Sequence, residues 1–451
     1  MSRSLRLALV VPLLALLFPV PLLAQVHVAD IGTVNGRQSA AFGVNGAGTA
    51  CGLSFVTGTI GVPNGPPAEP FLGHAVLYSG GVLTDLGALE GYATCSPLGC
   101  ESQALAINDA GWIAGWNDGD GGPIPILWLP EAIPGYVAGF NVLPRLADRG
   151  AFANALNDHG LVVGRAAAGP VGPRPVVWTI ASTGPEIADL GTLRADDDGY
   201  GIAYDVNELG QIVGEASDET YMLKPFLMLP EPAYGLPAGM SDLAPGVTEP
   251  ARALAINDRG EVAGELDMGV PWIWLPEPAY GLPAGFSLLE MPRDILAFFP
   301  TDISAAGQII GQAFVMTNPR TRDYVRQAAL WRNGTWKILD DVLPARTPWE
   351  LIYAESIVYA DRTTRIAGYG PNWDTDDING FVPASRGYVL TVTCLGDLNE
   401  DGDVDQEDLA IQRQHRGQAV APGTDGDMDG DGDVDARDIA ALAAQIGQPC
   451  L

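Results

Sequence analysis

Residues 104–115 read Ala104-Leu105-Ala106-Ile107-Asn108-Asp109-Ala110-Gly111-Trp112-Ile113-Ala114-Gly115, and most of the chain repeats this unit with drift. Clear copies occupy 153–164 (ANALNDHGLVVG), 203–214 (AYDVNELGQIVG) and 253–264 (ALAINDRGEVAG). Weaker copies lie at 41–52 (AFGVNGAGTACG) and 300–311 (PTDISAAGQIIG), with a degenerate seventh at 359–368 (YADRTTRIAG). Each unit alternates small or apolar residues up to an Asn and places Gly three residues later. Asn bonds its own downstream backbone and Gly accepts positive φ, so the unit predicts two short strands and a tight turn. Ser304 replaces the Asn in the sixth copy; the seventh has Asp361 and no turn glycine.

An apolar, aromatic run follows each hairpin, at 74–78, 125–128, 175–178, 225–228, 271–274 and 328–331. These predict third strands. Segments carrying Asp-Leu, at 84–87, 188–191 and 241–243, predict fourth strands. The final glycines Gly115, Gly164, Gly214 and Gly264 stand 49, 50 and 50 residues apart. Four strands at that period, without sustained apolar 3.6 periodicity, describe propeller blades. The seventh unit offers three strands, at 356–359, 365–369 and 387–392. Its fourth is expected from the other end of the chain, where 28–33 (VADIGT) repeats the Asp-apolar-Gly signature. Pairing the two ends removes both free sheet edges. The expected fold is mainly β: a seven-bladed β-propeller closed by the N-terminal strand and followed by a small α-helical domain.

Residues 1–24 combine Arg3 and Arg6 with the apolar run 7–23 and a small residue at Ala24, which reads as a secretory signal peptide. The remainder divides into a propeller at 25–393 and a tail at 394–451. A net charge of −31 argues against nucleic acid or anionic membranes as partners and fits cation binding; the acidic residues concentrate toward the C-terminus. No later stretch is apolar enough to span a bilayer, so a secreted protein is expected. Five cysteines fit an oxidising compartment: Cys95 with Cys100 and Cys394 with Cys450 are candidate disulfides, and Cys51 reads as a small core residue.

The tail carries the strongest chemical motif. Asp397, Asn399, Asp401, Asp403, Asp405 and Asp408 fall at positions 1, 3, 5, 7, 9 and 12 of a twelve-residue loop with Gly402 at position 6. Thirty residues on, Asp427, Asp429, Asp431, Asp433, Asp435 and Asp438 repeat it around Gly432. Calcium takes six to eight oxygens in flexible geometry; alternate loop residues turn inward, position 7 contributes its carbonyl and the glycine permits the sharp turn. Two Ca2+ ions are expected. Val404 and Val434, at position 8, are expected to bridge the loops. Leu409 and Ile411, then Ile439, Leu442 and Ile446, predict one helix after each loop, with Gly417 and Gly447 at the C-caps.

Two resemblances follow from these residues. The A-x-A-I-N-D-x-G-x-x-x-G unit with its aromatic strand resembles the HAF-type repeats of secreted bacterial proteins, which implies architecture but no agreed activity. The tail, with paired EF-hand-like loops, Asp at position 12 and a linker at 418–424, resembles a type I dockerin. That resemblance implies a cohesin-like partner, selected through Gln406, Glu407 and Arg413 in one half and Ala436 and Arg437 in the other.

Elsewhere the chemistry is thin. The four His residues lack Cys or His at ligand spacing, and no catalytic residue is assigned. Carboxylates at Asp109, Asp158, Glu208 and Asp258 recur in every clear turn and read as turn chemistry. The acidic runs 196–198 and 374–377 read as solvated loops, with further calcium sites as the alternative. Three Pro-rich insertions, at 129–139, 229–239 and 275–285, read as rigid loops or as a row of exposed Tyr136, Tyr234 and Tyr280 for stacking on sugar or peptide. The leading expectation is a secreted, non-enzymatic protein with a carbohydrate- or protein-binding propeller and an attachment tail. The alternatives are a component or enzyme of extracellular polysaccharide catabolism and a structural surface protein.

Overall fold

The computed structural model describes residues 25–451 except 36–37, 60–68, 94, 96–98, 169–171, 197, 322, 375–384, 422 and 447–450. The signal segment 1–24, Asp197, most of the second acidic run, Gly447 and Cys450 therefore lie outside the described residues.

Seven four-stranded antiparallel sheets follow one another along the chain. The second is typical: Ser102–Ile107, Ile113–Asn117, Ile124–Leu129 and Gly139–Val142 lie side by side in sequence order. The first strand of each sheet touches the first strand of the next, and that of the seventh touches that of the first. The sheets thus form a closed ring. The seventh blade takes Tyr353–Ala360, Thr363–Pro371 and Ser385–Thr393 from the end of the repeats and Gln25–Asp30 from the start, with Gln25 opposite Thr393 and Asp30 opposite Tyr388. Closure by the N-terminal strand is as expected, displaced a few residues toward the N-terminus from the 28–33 signature.

Each innermost hairpin contains a β-bulge within the first three residues of the repeat unit or just before it, and in three copies the unit reads Ala-x-Ala there. The register skips from Ala104 to Ala106, and likewise between Ala153/Ala155, Ala203/Asp205 and Ala253/Ala255. The extra residue bends the strand and sharpens its twist. It also explains the last glycine of the unit. A Cβ on Gly115, Gly164, Gly214 or Gly264 would overlap the carbonyl oxygen of Gln103, Phe152, Ile202 or Arg252 across the bulge.

The turn Asn residues join the blades. Each accepts a bond within its own turn, as Asn157 Oδ1 does from Leu161 N (2.9 Å), and donates to the corresponding carbonyl of the next blade. The chain of donations runs Asn45 to Asn108 (3.1 Å), Asn108 to Asn157 (3.2 Å), Asn157 to Asn207 (2.9 Å), Asn207 to Asn257 (2.9 Å) and Asn257 to Ser304 (3.0 Å). All are buried. The neighbouring carboxylates reach backward: Asp109 accepts from Gly46 N, Asp158 from Asp109 N, Glu208 from Asp158 N and Asp258 from Glu208 N, at 2.8 to 3.0 Å. Their recurrence has this inter-blade cause.

The row of exposed tyrosines is not formed as a row: of the three only Tyr234 is exposed, at 36%, and Tyr280 is half-buried. Tyr136 is 7% exposed. Tyr234 and Tyr280 pack edge-on against Trp274 and Trp331 of the following blades, with ring centroids 5.9 Å apart in both pairs. The Tyr280 hydroxyl donates to Glu261 (2.8 Å) and accepts from Arg259 (2.9 Å). The cause is the insertion's own turn. Tyr234-Gly235 and Tyr280-Gly281 have positive φ throughout, inside the tight bridges Ala233–Leu236 and Ala279–Leu282. That is a two-residue hairpin turn, which folds each ring onto its neighbour.

Cys95 and Cys100 form a disulfide with Cα atoms 4.5 Å apart. Cys394 is disulfide-bonded. Cys51 is a buried free thiol that burial pushes up to about 12, a core residue. Asp196 pairs with Arg194 at 2.6 Å.

Several carboxyls in the ring are half-buried and largely withdrawn from water. Burial raises Asp205, and burial followed by the charge of Asp205 raises Asp302. Burial pushes Glu355, the bulged residue of the seventh blade, up to about 7. A carboxyl titrating near 4 when unfolded and near 7 when folded favours the native state below about pH 4, and that contribution is lost as pH rises toward 7. Glu355→Gln should raise stability at pH 8 by on the order of 2 kcal/mol and leave it unchanged at pH 4. Urea midpoints at the two pH values test this; equal shifts at both would refute the assignment.

Candidate metal centre

The acidic tail folds as two loop-helix units. α1 (Gln406–His415) follows the first loop and α2 (Ala436–Ala443) the second. Position 9 starts each helix: Asp405 accepts from Glu407 N and Asp435 from Arg437 N, while Asp408 and Asp438 bond back to the cap residue's N–H. This capping box lies within the motif itself, because positions 9 and 12 are three residues apart. Gly417 takes φ +78 just past α1, as a C-cap glycine does.

Position 12 also ties each helix to the start of its loop. Asp408 Oδ1 accepts from Leu398 N (2.6 Å) and Asn399 N (3.2 Å). Asp438 Oδ1 accepts from Met428 N (2.8 Å) and Asp429 N (3.2 Å). A longer Glu would push the helix away, so Asp sets a compact loop. At position 6, Gly402 and Gly432 have φ of +90 and +92, which favour glycine.

In the second loop, Asp427, Asp429 and Asp431 bring carboxylate oxygens within 4.8 Å of one another. Burial acts upward on Asp427, but the N–H groups of Gly432, Gly423 and Gly430 outweigh it and hold the carboxyl below its ordinary range. Asp433 is raised, first by the charge of Asp431. In the first loop, Asn399 takes position 3 and donates to Asp401 (2.9 Å). Asp397 is wholly buried: Oδ2 accepts from Gly402 N (2.7 Å), while Oδ1 has no hydrogen-bond partner among the described residues. Burial pushes it up to about 6. A buried carboxylate oxygen without a donor is what a hard cation would complete, so the residues fit calcium. Asp403 has its carboxylate engaged by Asn333 at 3.0 Å, which leaves its carbonyl for the loop.

The expected Val404–Val434 bridge is not formed. Gly417 N donates to Val434 O (2.8 Å), Val434 N to Gln418 O (3.2 Å) and Val420 N to Gly432 O (3.0 Å), bridging Ala419 and Asp433. The chain leaving α1 turns back at Gly417 and reaches the second loop first. Val404 instead joins Leu409, Met428 and Leu442 in the small core of the tail.

Residues 395–447 match the family model of the dockerin type I domain. Type I dockerin domains bind calcium and attach proteins to cohesin partners. The match does not extend to the repeats, and no curated protein matches the chain. Among solved structures, the propeller is similar to YCF48 from Cyanidioschyzon merolae, at 9% identity over 81% of this chain and 98% of that one, with a TM-score of 0.44. It is also similar to YCF48 bound to D1 peptide, at 9% identity over 82% and 97%, with a TM-score of 0.43. A third likeness is the β-propeller domain of the Trilobed protease from Pyrococcus furiosus, at 11% over 67% and 98%, with a TM-score of 0.34.

In the dockerin-type tail, Gln406, Glu407, Arg413, Ala436 and Arg437 are all exposed and available to a partner. Among the described residues, no helix is long and apolar enough to cross a membrane. Sequence reasoning missed the propeller residues that meet the tail, Arg332, Asn333 and Tyr359. Tyr359 opens the degenerate seventh unit, but nothing in the repeat marks it, Arg332 or Asn333 as meeting the tail.

Proposed function

We propose that this chain is a secreted, non-enzymatic binding protein. Its propeller, at 25–393, presents a face to a carbohydrate or protein. Its dockerin-type tail, at 394–451, folds around two calcium ions and attaches the protein to a cohesin-type partner. In the first loop the ion is held by Asp397, Asn399, Asp401, Asp408 and the Asp403 carbonyl. In the second it is held by Asp427, Asp429, Asp431, Asp438 and the Asp433 carbonyl. Asp405 and Asp435 stand at position 9, where a ligand acts through water in related loops. The observation that carries this reading is the orphaned, fully buried Asp397 Oδ1 of the first loop, supported by the three converging carboxylates of the second. The turn carboxylates, committed to inter-blade amides, support the non-enzymatic choice. The HAF-type resemblance of the repeats is consistent with an extracellular role.

Calorimetric titration of the full chain should show two calcium ions bound, and Asp427→Asn should leave one. Retention on an immobilised type I cohesin should require calcium and be lost on chelation. A chain that takes up no calcium overturns the proposal.

A further inference from the structure

We propose that the propeller completes the first calcium loop: Tyr359 and Arg332, on adjacent blades, act as positioning residues, so that ion uptake there is coupled to seating of the tail on blades six and seven. This rests on the calcium reading above.

The two loops are built alike but braced differently. Asp427, at position 1 of the second loop, takes hydrogen bonds from N–H groups of its own vicinity, Gly423, Gly430 and Gly432. Its counterpart Asp397 takes one from Gly402 N and another from the Tyr359 hydroxyl, 38 residues earlier in the chain. Both fall on Oδ2. The carboxylate is thereby held in one orientation, and Oδ1 is left buried without a partner. A donor fixing a ligand's far oxygen is a familiar outer-shell device in metal sites, and its loss typically weakens binding ten- to hundredfold.

Arg332 grips the far side of the same loop. It is 4% exposed and ends the strand Asp323–Arg332. Its guanidinium donates to the carbonyls of Asp401 (2.8 Å) and Gly402 and lies 3.2 Å from the Asp403 carboxylate. Asn333, at φ +48 before Gly334 at φ +75, adds a bond to Asp403 from the tight turn they form. Positions 5, 6 and 7 are therefore fixed by the sixth blade while position 1 is fixed by the seventh. Leu451, at the chain's end, packs in a cluster with Ile310, Leu330 and Trp349, a separate anchor on the same blades.

Because coupling is reciprocal, an ion preferring the seated loop must stabilise seating by the same factor. A purely structural contact would leave ion affinity unmoved.

The test uses the full chain. In calcium calorimetry, Tyr359→Phe should weaken one site about ten- to hundredfold and leave the other unchanged. Both affinities unchanged, or both reduced alike, overturns the coupling. A second measurement stands if that variant fails to fold. The tail from Cys394 to Leu451 contains no Phe, Tyr or Trp, so terbium in the first loop can be sensitised by ultraviolet excitation only through nearby propeller aromatics. The wild-type chain should show this emission, lost in Asp397→Asn and kept in Asp427→Asn. Terbium bound without sensitised emission overturns the seating, whereas no ion uptake by the wild type defeats the calcium reading itself.

Discussion

Chelating calcium is expected to abolish the helical circular dichroism of the tail and remove one thermal transition, leaving the propeller's sheet signal and its own transition in place. The tail's core is small: Cys394, Val404, Leu409, Met428 and Leu442 form its buried apolar cluster, with Val434 buried beside the second loop. Against that stand four buried carboxylates, Asp397, Asp408, Asp427 and Asp438. Burial raises Asp397 and Asp408, and burial and the charge of Asp438 raise Asp429. A unit this size buries too little apolar surface to offset such repulsion alone. Calcium at a thousandfold excess over its dissociation constant contributes about 4 kcal/mol, comparable to the entire stability of a small domain. Helix signal and melting behaviour indifferent to chelator would end this account.

Gly264→Ala is expected to cost about 3 kcal/mol through overpacking in a place with no slack. The new methyl group would overlap the Arg252 carbonyl oxygen and press on the Trp272 ring, which is fully buried. Neither can retreat cheaply, since Arg252 pairs with Glu265 in the ladder and Trp272 with Leu288 on the far strand. Gly246→Ala is the control: nothing lies within 4 Å of a Cβ there, and the change should be nearly neutral. Guanidinium midpoints of the two variants would decide. Equal midpoints would mean that the bulge does not require glycine.

The repeat unit made the blades legible because its information is local. The Asn-to-Gly spacing specifies a turn, alternation specifies a strand, and a period near fifty residues specifies how often the pattern returns. The N-terminal strand could be assigned to the seventh blade because it carries the signature of the fourth strands. The metal loops were readable for the same reason: ligands, turn glycine and helix cap all fall within twelve residues. The tyrosine row misled because repetition marks a shared structural need as readily as an exposed surface. The Val404–Val434 pairing failed because the return of the chain after α1 supplies a nearer partner.

Residue order alone determined the number of blades, their closure and the two acidic loops, each set by spacings of a few residues. Tertiary structure alone decided which carboxylates are taken up between blades, which way Tyr136, Tyr234 and Tyr280 turn, and that Arg332 and Tyr359 hold the first loop from 70 and 38 residues away. Such contacts form where separate segments happen to meet in the folded ring, and no periodicity in the chain records a meeting of that kind.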